Sequence, residues 1–133
     1  MHWTIYTTGN KLHPCYRDAA EEYIKRIGRY AKIRTQHVRK PAGLATRWPQ
    51  TGIRLALIPQ GTLLSSEQWA GQIVDWQNTS AGPVTIVIGP CDFPVDATLS
   101  VSPMDMDPGL LLTILTEQIY RAYRIIHNQP YHK

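Results

Sequence analysis

Apolar and polar positions follow two rhythms along this chain, one of strands and one of helices. Trp3 to Thr7 is an aromatic and β-branched run that stops at Thr8-Gly9-Asn10, which predicts a first strand and a turn. Pro14 suits the first turn of a helix. Tyr16, Ala20, Tyr23, Ile24 and Ile27 then recur at helical spacing, charged residues fill the rest of the wheel, and Gly28 ends the pattern. Tyr30 to Val38 alternates loosely and predicts a second strand. Residues 39 to 52 contain Pro41, Gly43, Pro49 and Gly52 and read as a loop. Ile53 to Pro59 is a short apolar run of the kind a buried parallel strand requires, and Gln60-Gly61 turns the chain. Ser65 with Gln68 three residues later forms a capping-box pattern, so a second helix starts there and runs through Trp69 and Ile73 to about Trp76. Val84 to Ile88 is the most apolar strand and stops at Gly89-Pro90.

Pro90, Pro94 and Pro103 exclude a long helix between residues 90 and 107, where Leu99 to Ser102 predicts a short strand. Asp107-Pro108 has the form of an N-cap and first helical residue. Beyond it Leu111, Leu115, Ile119, Ala122 and Ile126 make one apolar stripe, widened by Leu110, Ile114 and Tyr123. A helix apolar over so much of its circumference needs two packing partners. The chain's own sheet is one, and a second subunit is the expected other. The order of elements predicts an α/β fold, a mostly parallel sheet with helices on both faces, in a single domain spanning residues 1–133. Ligands of open sheets sit at the carboxyl ends of strands, here Pro59-Gln60-Gly61 and Gly89-Pro90.

Composition narrows the class. Hydrophobic residues are 43% and charged residues 18%, an ordinary globular balance. No apolar run approaches the roughly 20 residues of a membrane span, and Met1 to Tyr6 lacks a signal-peptide pattern. Cys15 and Cys91 have neither metal-site nor disulfide spacing, so free thiols and a cytoplasmic location are expected. The histidines at 2, 13, 37, 127 and 132 make no i, i+4 pair, and no metal site is expected. The formal net charge is +4, and its placement matters more than its size. Residues 24 to 47 hold Lys25, Arg26, Arg29, Lys32, Arg34, Arg39, Lys40 and Arg47 and no carboxylate, which suits a phosphate-facing surface. Walker A, GxGxxG, HExxH and GxSxG signatures are all absent.

The C-terminal segment Leu115 to Tyr123, with its Glu117-x-x-Tyr120-Arg121-Ala122 core, closes in Asn128-Gln129-Pro130-Tyr131-His132-Lys133. Earlier blocks are Glu22-Tyr23-Ile24-Lys25-Arg26 with Tyr30, Leu57-Ile58-Pro59-Gln60-Gly61 with Leu64-Ser65-Ser66-Glu67, and Ile86-Val87-Ile88-Gly89. In this order and over nearly the whole chain they resemble the RlmH family of SPOUT methyltransferases. The resemblance implies an α/β domain with a C-terminal trefoil knot, a homodimer, S-adenosylmethionine as cofactor, and N3-methylation of a pseudouridine in 23S rRNA of the ribosome. It carries the cofactor pocket onto Leu57, Gly89 and the segment Val101, Ser102, Pro103, Met104, Asp105 and Met106. Catalytic roles fall on Arg121, which can offset imide charge or hold a phosphate, on Tyr131, which can orient the base, and on His132 as a general base. Lys25, Arg26, Arg29 and Lys32 are the expected RNA contacts.

The chain departs from the family pattern around the pocket. A Gly-Gly-x-x-Gly loop reads Gly89-Pro90-Cys91-Asp92-Phe93 here, and the stretch from Gly89 to Val101 is short enough to reduce a helix to a turn. The loop at 39 to 52 is short as well, and a family arginine in the first turn of the last helix aligns with Leu112. These changes motivate an alternative on the same dimeric scaffold, a non-catalytic ribosome-binding or assembly protein.

Overall fold

A computed structural model describes residues 1–131. Five strands, β1 (His2–Thr8), β2 (Lys32–Val38), β3 (Ile53–Leu63), β4 (Val84–Ile88) and β5 (Ala97–Ser100), form one sheet in the order β2-β1-β4-β3-β5. Every pairing is parallel, with Trp3 opposite Ile33 and Val84, and Leu55 opposite Ile86 and Ala97. The helices are α1 (Pro14–Ile27), α2 (Ser66–Asn78) and α3 (Pro108–Ile126), and a short 3-10 helix covers Pro41–Leu44. Their starts follow the predicted chemistry. Ser65 and Gln68 complete the capping box, and the Asp107 carboxylate accepts from Gly109 N at 2.7 Å.

Strand alternation sends Trp3, Ile5, Leu55, Leu57, Val84 and Ile86 to one face of the sheet, where they pack against all three α-helices. Tyr6, Val38, Ala56 and Val87 point to the other face and meet Leu44, Trp48, Phe93 and Val95. The expected α/β parallel architecture is present, but the expectation of helices on both faces is met unevenly. The α-helices share one face, and only the 3-10 helix lies on the other. The two connections that would carry further helices, 39–52 and 89–96, are too short to hold them, so single aromatic side chains close the core there. Trp48 Nε1 donates to the Pro94 carbonyl at 2.8 Å, and its ring lies 6.3 Å from that of Phe93.

The third strand also differs from expectation. Its predicted end at Pro59 and a turn at Gln60-Gly61 are replaced by a strand that continues to Leu63, with a shift in its register against β5 between Leu57 and Thr62. Gly61 marks a close backbone approach. A Cβ on it would lie 2.4 Å from the Leu99 carbonyl oxygen and 2.8 Å from the Leu99 nitrogen.

Helix α3 is seated between α1 and α2 on the sheet, so much of its apolar circumference is satisfied within the chain. Leu112, Leu115, Ile119, Ala122 and Tyr123 are buried there. Trp3 Nε1 donates to the Tyr123 hydroxyl at 3.0 Å in the core, and Trp3, Trp69 and Trp76 meet edge to face, Trp3 and Trp69 at 5.9 Å. Leu110, Leu111 and Ile114 remain half-buried and Ile125 is exposed.

Gly61→Ala should destabilise the fold by about 1–3 kcal/mol, because the methyl group has only backbone to push against. Equilibrium urea unfolding measures this, and an unchanged midpoint would contradict the close approach of β5.

Candidate active site

The carboxyl ends of β3 and β5, the start of α2 and the middle of α3 enclose a cavity of about 320 Å³. Leu57, Leu99, Val101, Ile114 and Leu115 form its apolar walls, and Thr62, Ser66, Ser100 and Gln118 its polar ones. Its location matches the rule for open parallel sheets, and its balance of apolar wall and few polar groups is that of a small-molecule site.

One wall is held by a hydroxyl. Ser100, buried at the end of β5, has its single proton between the carbonyls of Pro59 (3.1 Å) and Ser102 (2.9 Å) and accepts from Ser102 N at 3.1 Å. Ser102 Oγ in turn accepts from Met104 N at 3.1 Å. The connection from β5 to α3 is thus ordered by local side-chain bonds, as Ser commonly orders turns.

The sequence-predicted cofactor residues divide in two. Leu57 and Val101 line the main cavity. Ser102 and Met104 line a narrow crevice beside it, together with Leu57, Val101 and Leu111. Pro103, Asp105 and Met106 line neither cavity; Pro103 and Asp105 are exposed and Met106 half-buried. Gly89 lies just outside, donating its N–H to the Leu57 carbonyl at 3.0 Å. Its φ of +118° calls for glycine, and the space a Cβ would fill is open. Sequence reasoning missed Ser66, Gln118, Ile114 and Leu115. The signal was present in part: the capping box placed the start of α2, and Gln118 is a polar residue inside an apolar helix.

A line of hydrogen bonds leads from the cavity to the chain's tail. Ser66 Oγ donates to Gln118 Oε1 at 2.7 Å, Gln118 Nε2 donates to Glu117 Oε1 at 2.7 Å, and Arg121 pairs with Glu117 Oε2 at 3.2 Å. The Arg121 guanidinium sits 4.7 Å from the centroid of Tyr131, which meets Tyr120 edge-on at 5.0 Å. Asn128, at φ +52°, reverses the chain after α3. The tail is then pinned by Gln129, which accepts from Tyr30 and from Arg124 at 3.1 Å. Arg121 and Tyr131 are therefore brought together on the surface of α3, one hydrogen-bonded path from the cavity. His132 lies outside the described residues. Burial first, and the Glu117 carboxylate next, push the Tyr131 phenol well above its ordinary range.

The expected RNA contacts are exposed around the end of α1. Arg26 pairs with Glu22 and lies 5.7 Å from the Tyr23 centroid, Arg29 lies 5.3 Å from that of Tyr30, and Lys32 opens β2. Leu112, which takes a family arginine's place, is buried in the core. Phe93 of the altered glycine loop packs on the far side of the sheet from the cavity. Among the described residues no helix is long and apolar enough to cross a membrane, and no cluster of His, Cys, Asp and Glu could hold a metal.

A family model described as a predicted SPOUT methyltransferase matches residues 1–132. The chain is 39% identical over 133 residues to Ribosomal RNA large subunit methyltransferase H 1 of Thermoanaerobacter sp. (strain X514), with 100% of each chain covered. It is 33% identical over 136 residues to Ribosomal RNA large subunit methyltransferase H of Desulfotalea psychrophila, covering 87% of this chain and 89% of that one. It is 30% identical over 156 residues to the protein of that name from Neisseria meningitidis, covering 100% and 99%.

A raised phenol pKa stabilises the fold with a definite sign. The folded value of Tyr131 exceeds the unfolded value of about 10, so its contribution is complete below that pH and is lost as pH rises through the folded value. Tyr131 should ionise at higher pH than the tyrosines of the urea-unfolded protein in a tyrosine Cζ NMR titration, and Glu117→Gln should bring it down. A Tyr131 resonance that titrates with the tyrosines of the unfolded protein would contradict the contact.

Proposed function

The chain belongs to the SPOUT methyltransferase family, and from that premise we propose that it is an S-adenosylmethionine-dependent methyltransferase acting at N3 of a pseudouridine in large-subunit ribosomal RNA. The observation that carries this reading is the cavity at the ends of β3 and β5, joined by Ser66, Gln118 and Glu117 to Arg121 and Tyr131. Its volume and its apolar walls fit an adenosyl group. Leu57, Leu99 and Val101 would hold that group, with Ser66 and Gln118 as polar partners. When bound, S-adenosylmethionine supplies an electrophilic methyl group on a sulfonium sulfur.

The protein's part is to position the base and to make its nitrogen nucleophilic. The imide N3 carries a proton that must leave as the new N–C bond forms. His132 is the proposed acceptor of that proton. Arg121, already in contact with Tyr131, offsets the negative charge the imide develops. Glu117 keeps the guanidinium oriented, and Tyr131 supplies an aromatic surface for the base. Holding the two reactants in line can itself lower the barrier by about 7–11 kcal/mol.

The proposed working unit is a homodimer, with the family's trefoil threading in the segment from β4 onward. Leu64, Met104 and Ile125 are exposed near the cavity and along α3, and Leu110, Leu111 and Ile114 are only half covered. These uncovered apolar side chains are the proposed contacts with a second copy. Lys25, Arg26 and Arg29 of one subunit would then flank the partner's cavity and meet RNA phosphates, and Lys32 would meet them from the start of β2 on the other side of the sheet.

S-adenosylmethionine at one hundred times its dissociation constant should stabilise the protein by about 2.7 kcal/mol, read as a rise in thermal midpoint. Methyl transfer to large ribosomal subunits lacking the modification should follow, and Arg121→Ala should abolish most of it while leaving the thermal shift in place. Absence of both shift and transfer would leave the non-catalytic ribosome-binding protein as the better reading.

A further inference from the structure

The carboxylate-free basic run over residues 24 to 47 is only partly used by the site described above. Lys25, Arg26 and Arg29 stay near the end of α1, on the helical side. Lys32, Arg34 and Arg47 are delivered to the opposite side of the sheet. Lys32 and Arg34 stand two residues apart on β2 and so face the same way. They are paired in register with His2 and Thr4 of β1, and Thr4 is paired in turn with Thr85 of β4. Arg34, Thr4 and Thr85 thus form a row across three strands, tied by a hydrogen bond from Arg34 Nε to Thr4 Oγ1 at 3.3 Å.

The cover on this side of the sheet is incomplete. The 3-10 helix and the 89–96 connection pack over Tyr6, Val38, Ala56 and Val87. The part toward the strand starts is left open as a groove of about 570 Å³, bounded by His2, Thr4, Lys32, Arg34, Arg47 and Thr85. No aspartate or glutamate lines it. Lys32, Arg34 and Arg47 make no salt bridge among the described residues. Asp96, in register with this row beyond Arg54, is bound to Arg54 at 3.2 Å, and that guanidinium holds its carboxyl below the usual range. The groove is therefore a concave surface of three exposed, uncompensated cations with threonine hydroxyls on its floor.

We propose that this groove is a second docking surface, taking the sugar-phosphate backbone of the RNA substrate on the side of the sheet opposite the methyl-transfer cavity. The proposal rests on the ribosomal RNA reading above and adds a separate place of contact to it. Cations paired with hydroxyl groups match phosphate oxygens and ribose hydroxyls, which position a nucleic acid without reading its sequence. A membrane surface fits less well. The exposed large apolar side chains Leu63, Leu64, Met104 and Ile125 are all absent from the groove.

The test compares the full-length protein with Arg34→Glu/Arg47→Glu in binding to unmodified large ribosomal subunits across a salt series. The charge-reversed protein should bind about tenfold more weakly, with a salt slope smaller by about 0.7–0.9 for each phosphate it no longer neutralises. Its S-adenosylmethionine affinity should be unchanged, and Arg34→Lys/Arg47→Lys should restore most of the binding. In the unaltered protein, bound subunits should shield Arg34 and Arg47 from phenylglyoxal, which reads the groove independently of any variant's folding. Wild-type binding with no shielding, or with an unchanged slope in a folded charge-reversed protein, overturns the proposal. Wild-type protein that binds no subunits at all overturns the ribosomal RNA reading itself. Loss of binding to phosphatidylserine vesicles alone would assign the groove to a lipid surface and overturn it as well.

Discussion

The seating of α3 is the constraint on which the remainder depends. The helix is locked at both ends. At its start, Asp107 caps it and Gly109 lies so close to Tyr16 that a Cβ would approach the ring within 2.8 Å. Near its end, the Tyr123 hydroxyl accepts from Trp3 in the core. Between these pins Leu112, Leu115, Ile119 and Ala122 are buried, and the Thr116 hydroxyl is satisfied by the Leu112 carbonyl at 2.9 Å. A slide by one residue would break both pins and turn polar positions inward. With the register held, Gln118 meets Ser66, Glu117 meets Arg121, and the tail returns onto Tyr120. The chemistry of the site is a consequence of helix packing.

The two sides of the sheet are finished differently, and this follows from chain length. Three α-helices cover one side, leaving the cavity at the ends of β3 and β5. On the other, short connections supply Leu44, Trp48, Cys91, Phe93 and Val95 to cap the core. The Phe93 ring lies 6.3 Å from that of Trp48 and supplies part of that cover. The altered glycine loop is thus explained by packing on the side away from the cavity. Burial there also raises the Cys91 thiol above its ordinary pKa, which leaves it a poor nucleophile.

Element order, helix starts and the most apolar strand were legible from periodicity and capping alone, because those signals are local. β4 matches its predicted span at both ends, and Ser65 and Asp107 cap the helices they were expected to cap. The errors are all non-local. Gly61 reads as a turn in isolation, yet in the fold it lets β5 lie against β3, and nothing near it in sequence announces Leu99. Within the chain α3 packs against α1 and α2, which the stripe could not identify. The Ser100 and Ser102 hydroxyls turn the segment after β5, and of it Val101, Ser102 and Met104 line a cavity or the crevice beside it, a division that no sequence period announces. Ser66 and Gln118 escaped notice because a cavity wall shared by two helices has no sequence period.

The central claim is that the cavity between β3, β5, α2 and α3 receives an adenosyl sulfonium. Methyl-labelled protein titrated with S-adenosylmethionine tests it most directly. Resonances of Leu57, Leu99, Val101, Ile114 and Leu115 should move together and saturate, while those of Leu44 and Val38, across the sheet, stay in place. Perturbations confined to the opposite side of the sheet, or none at all at saturating ligand, would contradict it.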